Sequence, residues 1–253
     1  MRAEGNAATI NAHGGPSVRH AEKWGEWLHD FALAESLDII CAQEMTSFHV
    51  RAARRGLGDE WAIVCRNDWP GADDNAVFVR KAWERVAHDH IRHMGRRRWL
   101  GNIVKRLHDP RSLTSALCRN GLTAASSHAP PGVDSRPISR RQRQAAIIVR
   151  ALTGKPDRVR AWVAFWKRFE QWGAKRNDRG QLWLVGLDLN ERLAVPGEWT
   201  PKAVARRLNA NAIAVGIDGF IASNDLELSD VKQHKPGPGM DHHAVTVRFT
   251  EKP

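Results

Sequence analysis

The chain has 253 residues, a formal net charge of +11 at pH 7, and 42% hydrophobic and 26% charged residues. That balance excludes a disordered, collagen-like or solenoid chain and supplies enough apolar side chain for a sizeable core, while no apolar run is long enough to span a bilayer as a helix. Arginine makes up 29 of the 39 basic residues, and its planar fork suits phosphate, so the charge favours a polyanionic partner.

Met1 to Asn6 contains no apolar signal region, which favours an intracellular protein. Residues 7–12 read as a short opening strand, closed by the turn cluster His13-Gly14-Gly15-Pro16. An amphipathic helix is expected next, capped by Ser17, with Val18, Ala21, Trp24, Trp27, Leu28 and Phe31 along one face. Leu37 to Ala42 is then a buried strand that ends at Gln43-Glu44. Further strands are expected over 61–65, 76–80, 83–88, 113–118, 122–126, 182–187, 216–222 and 244–249. Two more amphipathic helices are expected, over about 138–152 and 159–172, and loops over 68–74, 95–111, 129–137, 194–201 and 233–240. Helices separated by runs of consecutive strands imply a mixed-sheet sandwich covered by helices, not a regular βαβ winding. No repeat of fixed period and no linker-like stretch appears, so one domain over residues 1–253 is expected, as a monomer. Cys41, Cys65 and Cys118 stand without CxxC pairing, as buried free thiols do.

Polar residues gather at the ends of the apolar strands: Asn11, Glu44, His128, Asp188 with Asn190, Asp218, and Asp241 with His242. Taken singly, each is an ordinary strand cap. If the strands leave one core in the same direction, their ends converge on a rim where histidines and carboxylates surround a metal and a phosphate.

The set has a recognisable order. Thr9-Ile10-Asn11 resembles an opening T-x-N strand, Gln43-Glu44 a Q-E motif, and Ser127-His128-Ala129-Pro130 a histidine-bearing strand end. Gly186-Leu187-Asp188-Leu189-Asn190 resembles G-D-x-N lengthened by one residue. Ile217-Asp218 precedes an apolar strand, and Met240-Asp241-His242 resembles a closing S-D-H motif with methionine in place of serine. From residue 7 to 249 the chain resembles the endonuclease/exonuclease/phosphatase superfamily, whose members include DNase I, sphingomyelinases and inositol polyphosphate phosphatases. The histidine at 128 resembles the DNase I and sphingomyelinase side of that family.

The resemblance implies a DNase I-like four-layer αββα sandwich of two mixed β-sheets flanked by helices. It also implies a divalent-metal-dependent phosphodiester hydrolase, a nuclease acting on DNA or RNA with a His-Asp activated water. A phosphodiester resists attack because its oxygens are anionic and its leaving alkoxide is poor, so the site must neutralise charge, orient water and supply a proton. By the resemblance, Mg2+ or Mn2+ is held by Glu44 and Asn11, with Asp241 holding or orienting a second position. His242 is the general base, fixed by Asp218; His128 is the acid or phosphate donor, oriented by Asp74; Asp188 and Asn190 meet the phosphate or the attacking water.

The basic runs Arg96, Arg97, Arg98 and, further on, Arg140 flank the strand leading to His128 and are candidates to grip a nucleic-acid substrate. A phosphatase or phospholipid phosphodiesterase of the same fold, or a silent nucleic-acid-binding module, are the competing readings. His88-Asp89-His90 lacks a fixed third zinc ligand, and Gly154-Lys155 lacks the preceding glycine of a P-loop.

Overall fold

A computed structural model describes residues 2–13, 18–65, 74–91, 112–129, 158–189 and 197–253. The helix expected over 138–152, Asn190, Arg96, Arg97, Arg98 and Arg140 lie outside the described residues, as does the side chain of Asp74.

The first sheet places β11 (Leu226–His234), β12 (Ala244–Glu251), β1 (Glu4–Asn11), β2 (Ile39–Met45), β4 (Asp74–Arg80) and β3 (Trp61–Cys65) side by side in that order. The second orders β5 (Arg85–Ile91), β6 (Leu113–Cys118), β7 (Thr123–His128), β8 (Trp183–Asp188), β10 (Asp218–Ser223) and β9 (Ala210–Val215). Each sheet has one parallel pair at its centre, β1 with β2 and β7 with β8, and antiparallel partners on both sides. These central strands are buried on both faces, as β7 and β8 show along their whole length.

Three apolar layers hold the sandwich together. Trp24, Leu28 and Phe31 of α1 (Val18–Ala34) pack with Val50 and Ala53 of α2 (Ser47–Leu57) onto Ile10, Ile40 and Phe78 of the first sheet. Between the sheets lie Ile39, Val77, Ala124, Leu184, Phe220 and Phe249. Trp162, Phe165, Trp166 and Phe169 of α3 (Arg158–Asn177), with Val204 of α4 (Pro201–Arg207), cover Val185, Leu187 and Ile221 on the far face. Helix, sheet, sheet and helix follow in that order, which is the expected four-layer αββα arrangement.

Several elements differ from the sequence expectation. The strand expected over 216–222 is half of a hairpin: β9 ends at Val215, Gly216 turns at φ 65°, and β10 starts at Asp218. β11 escapes notice because it is a mostly polar edge strand that buries few side chains. α2 and α4 are short and rely on their caps. Thr46 caps α2, and Thr200 caps α4 by accepting from the Ala203 backbone N–H at 3.2 Å. The strand expected over 83–88 starts later, at Arg85, after a single 3-10 turn at Lys81–Trp83.

Candidate active site

The two parallel pairs deliver the site. Asn11, at the end of β1, is the register partner of Gln43, two residues before the end of β2, and His128 and Asp188 are partners at the ends of β7 and β8. Asp218 opens β10 directly opposite Asp188. Asp241 and His242 come from the segment entering β12. Adjacent strand ends in two facing sheets therefore meet on one edge of the sandwich.

Asp188 lies at the floor. Its carboxylate is 1% exposed, and Oδ2 accepts from Asn11 Nδ2 at 2.8 Å. The same oxygen is 3.5 Å from His128 Nε2 and 3.6 Å from His242 Nδ1, so one carboxylate joins both imidazoles. His128 Nδ1 faces Glu44 Oε1 at 3.6 Å. His242 Nδ1 also faces Asp218 Oδ1 at 3.6 Å, and its Nε2 faces Asp241 Oδ1 at 3.5 Å. Glu44 reaches into the rim because its backbone is left-handed, φ 53°, where the register of β2 against β4 shifts between Ala42 and Met45. Such a conformation is uncommon for a residue with a Cβ and persists only where the surroundings enforce it.

Burial pushes the Asp218 carboxyl up to about 6, reinforced by Asp188 and opposed by His242. At His242 burial disfavours the cation, but Asp218 first and then Asp188 and Asp241 outweigh it and raise the imidazole to about 9. At neutral pH the protein's own groups thus keep His242 protonated. Among the described residues, two groups could hold a divalent cation: Glu44, His128 and Asp188 offer one atom each within 4.8 Å of the others, and so do Asp188, Asp218 and His242.

No protein-family profile matches the chain, and no curated protein sequence does. Solved structures match along its whole length. A Bacteroides thetaiotaomicron endonuclease/exonuclease/phosphatase family protein superposes with a TM-score of 0.64, covering 100% of both chains at 11% identity. A humanized D. rerio TDP2 gives 0.63, covering 97% of this chain and 98% of its own at 11% identity. The human Nocturnin catalytic domain with bound sulfate gives 0.60, covering 100% and 96% at 13% identity. The chain has the fold of the endonuclease/exonuclease/phosphatase superfamily. On this endonuclease/exonuclease/phosphatase scaffold, the rim brings together Asn11, Glu44, His128, Asp188, Asp218, Asp241 and His242. Asp74 opens β4 as the register partner of Met45, one residue beyond Glu44.

Two residues at the rim carry no role in the sequence reading. Gln43 is fully buried, and its Nε2 lies 3.0 Å from Ser126 Oγ and 3.1 Å from both Thr9 Oγ1 and the Cys41 carbonyl. Ser126 Oγ in turn donates to the Ala42 carbonyl at 2.8 Å, so the two sheets are bonded to each other one residue below the site. A long polar residue inside an apolar strand was the signal available for it. His13, placed by sequence in a turn, stands over Glu44 and Asp241.

Proposed function

We propose that the protein is a divalent-metal-dependent phosphodiester hydrolase that cleaves nucleic acid. The observation that carries this reading is the facing of the Asn11–Glu44 strand ends by the His128–Asp188 pair, with the His242–Asp218 pair beside them. Bound by Glu44 and Asn11, with Asp241 holding or orienting a second position, Mg2+ or Mn2+ would supply charge neutralisation at the phosphate. His242 accepts a proton from the attacking water at Nε2, while Asp218 holds Nδ1 and stabilises the imidazolium that results. His128, set between Glu44 and Asp188, donates to the phosphate or the leaving oxygen. Asp188 and Asn190 orient the water and the phosphate. The charge of +11 favours a polyanionic substrate, with Arg96, Arg97, Arg98 and Arg140 as the candidate phosphate contacts.

Cleavage of duplex DNA, single-stranded RNA and anionic lipid vesicles, with and without chelator, tests the reading. Nucleic-acid cleavage that requires the ion and falls at least about a hundredfold in Glu44→Gln, with melting temperature preserved, is the expected result. Cleavage that survives both chelation and Glu44→Gln overturns the metal assignment. Preferential hydrolysis of the lipid replaces the nuclease by a phospholipid phosphodiesterase, and binding without turnover leaves a silent nucleic-acid-binding module.

A further inference from the structure

Away from the rim, α3 carries a stripe of cations. Arg168, Trp172, Lys175 and Arg176 recur at intervals of three and four, so they lie along one side of the helix, and Arg179 follows in the turn beyond its end. With Asp89 of β5 they line a cavity of about 390 Å³ between the helix and the edge strand of the second sheet. Four cations there meet one carboxylate. Arg168, Lys175 and Arg179 are exposed, whereas Arg176 is drawn inward. Its Cζ lies 3.7 Å from the centre of the Trp172 ring, its Nη1 donates to the Trp172 carbonyl at 3.2 Å, and its Nε is buried without a hydrogen-bond partner among the described residues. Burial lowers this guanidinium from 12.5 to about 10, Asp89 opposing the shift and Arg179 adding to it. A cation withdrawn from water beside like charge is stabilised by an anion.

We propose that this cleft is a second phosphate-binding site, apart from the catalytic rim, that holds the backbone of the nucleic-acid substrate beyond the point of cleavage. The inference rests on the nucleic-acid reading above. Charge gives the class of ligand, because four cations against one carboxylate select an anion, and the arginine fork matches phosphate. Length gives its form. Arg168 and Lys175 stand about 10 Å apart along the helix axis, which exceeds one phosphate and corresponds to about three steps of a nucleic-acid strand. Trp172 supports the Arg176 guanidinium and is too buried to stack on a base, so the cleft contacts backbone and not sequence. The cleft belongs to the end of β8 opposite the rim: the Trp172 ring is 5.7 Å from that of Trp183, which opens β8, and the strand runs about 16 Å from there to Asp188. Only a substrate of several nucleotides reaches both places.

The test measures binding of the full chain on a Glu44→Gln background in chelator, with duplex DNA, single-stranded RNA and inorganic pyrophosphate as probes. Arg168→Gln/Lys175→Gln/Arg179→Gln removes the three exposed cations of the cleft, and Lys202→Gln/Arg206→Gln/Lys252→Gln removes the same charge from exposed positions elsewhere. All six side chains are exposed, so both variants keep the fold, as their melting temperatures check. With strands of about twenty nucleotides near 0.1 M salt, the cleft variant is expected to lose about tenfold or more in affinity, and the matched variant less than about threefold. The slope of log affinity against log salt should fall in the cleft variant by about one unit per lost contact, and the loss should shrink as the strand is shortened to a trinucleotide. Equal affinities and slopes in the two variants, while the background chain still binds nucleic acid, overturn the cleft and leave the nucleic-acid reading standing. Loss of pyrophosphate binding alone replaces the strand by a small anion and also overturns the proposal. Failure of the unsubstituted chain to bind or cleave DNA or RNA overturns the nucleic-acid reading, and the cleft with it.

Discussion

Asp218 and His242 show how a buried carboxylate sets the state of its neighbour. Each charge is costly alone, and the pair is stable because one charge answers the other across 3.6 Å. Asp218→Asn keeps the shape of the side chain and removes the negative charge that steadies the imidazolium. Both Asp218→Asn and His242→Ala are expected to slow the chemical step by about 10²–10⁴ in single-turnover measurements on nucleic acid. Residues that act as one unit are not additive, so the double variant should be no slower than His242→Ala alone. A double variant much slower than either single one would assign Asp218 a task away from His242.

At the scale of elements, α2 governs how Glu44 is presented, since the helix starts three residues after it. Its N-terminus is a reciprocal cap: Thr46 accepts from the His49 N–H, and His49 Nδ1 accepts from the Thr46 N–H, both at 3.4 Å. His49 is buried with its ring edge-on to Trp24 at 5.2 Å, and burial lowers it from 6.5 to about 4. The neutral ring is therefore the folded form, and the unfolded chain binds the proton more tightly. The stability this gives is fully present above pH 6.5 and is lost as pH falls from 6.5 through about 4. Chemical denaturation between pH 7 and 4 is expected to show that loss, and His49→Gln, which keeps a cap acceptor without a titrating ring, should flatten it. Thr46→Ala should cost about 1 kcal/mol in the same assay at pH 7. A pH profile unchanged in His49→Gln would place the acid sensitivity elsewhere.

The whole molecule is two sheets pressed closely together beneath the site. A Cβ at Gly186 would stand 2.4 Å from the Cβ of Cys41 and 3.0 Å from that of Thr9, so β8 fits against the first sheet only because glycine is there. Gly186→Ala is expected to destabilise the fold by roughly 1–3 kcal/mol. Because it spreads the sheets that carry the two halves of the rim, its activity should fall further than the folded fraction does. An activity loss that merely tracks unfolding would show that the sheet spacing does not govern the site. Charge acts at the same scale. If Arg96, Arg97 and Arg98 touch phosphates, neutralising them on a Glu44→Gln background should lower the slope of log affinity against log salt by about one unit per contact. An unaltered slope for DNA and RNA would leave those arginines as solvated charge.

How much of this was legible in the chain depends on the kind of signal. Apart from Asp38, residues 37–42 and 182–187 are apolar in sequence, so the central strands β2 and β8 could be read directly. The helical spacing of Trp24, Leu28 and Phe31, and of Trp162, Trp166 and Phe169, marked α1 and α3 in the same way, because burial of a face imposes a period on the sequence. β11 and α2 were not legible: the first is a polar edge strand, and the second draws its stability from a threonine–histidine cap and from packing against α1. Gly25 and Gly56 make that packing close, since a Cβ on Gly56 would meet the Gly25 carbonyl oxygen at 2.4 Å.

For the site, the order of Asn11, Glu44, His128, Asp188, Asp218, Asp241 and His242 along the chain was sequence information, and so was the chemistry of their side chains. Which atoms face which was not. The placement of one Asp188 oxygen between two histidines, the left-handed turns that aim Glu44 and His13 at each other, and the Gln43–Ser126 link between the sheets arise from strands far apart in the chain. Local sequence determines which residues end a strand. Only the register and spacing of two packed sheets decide which of those ends meet.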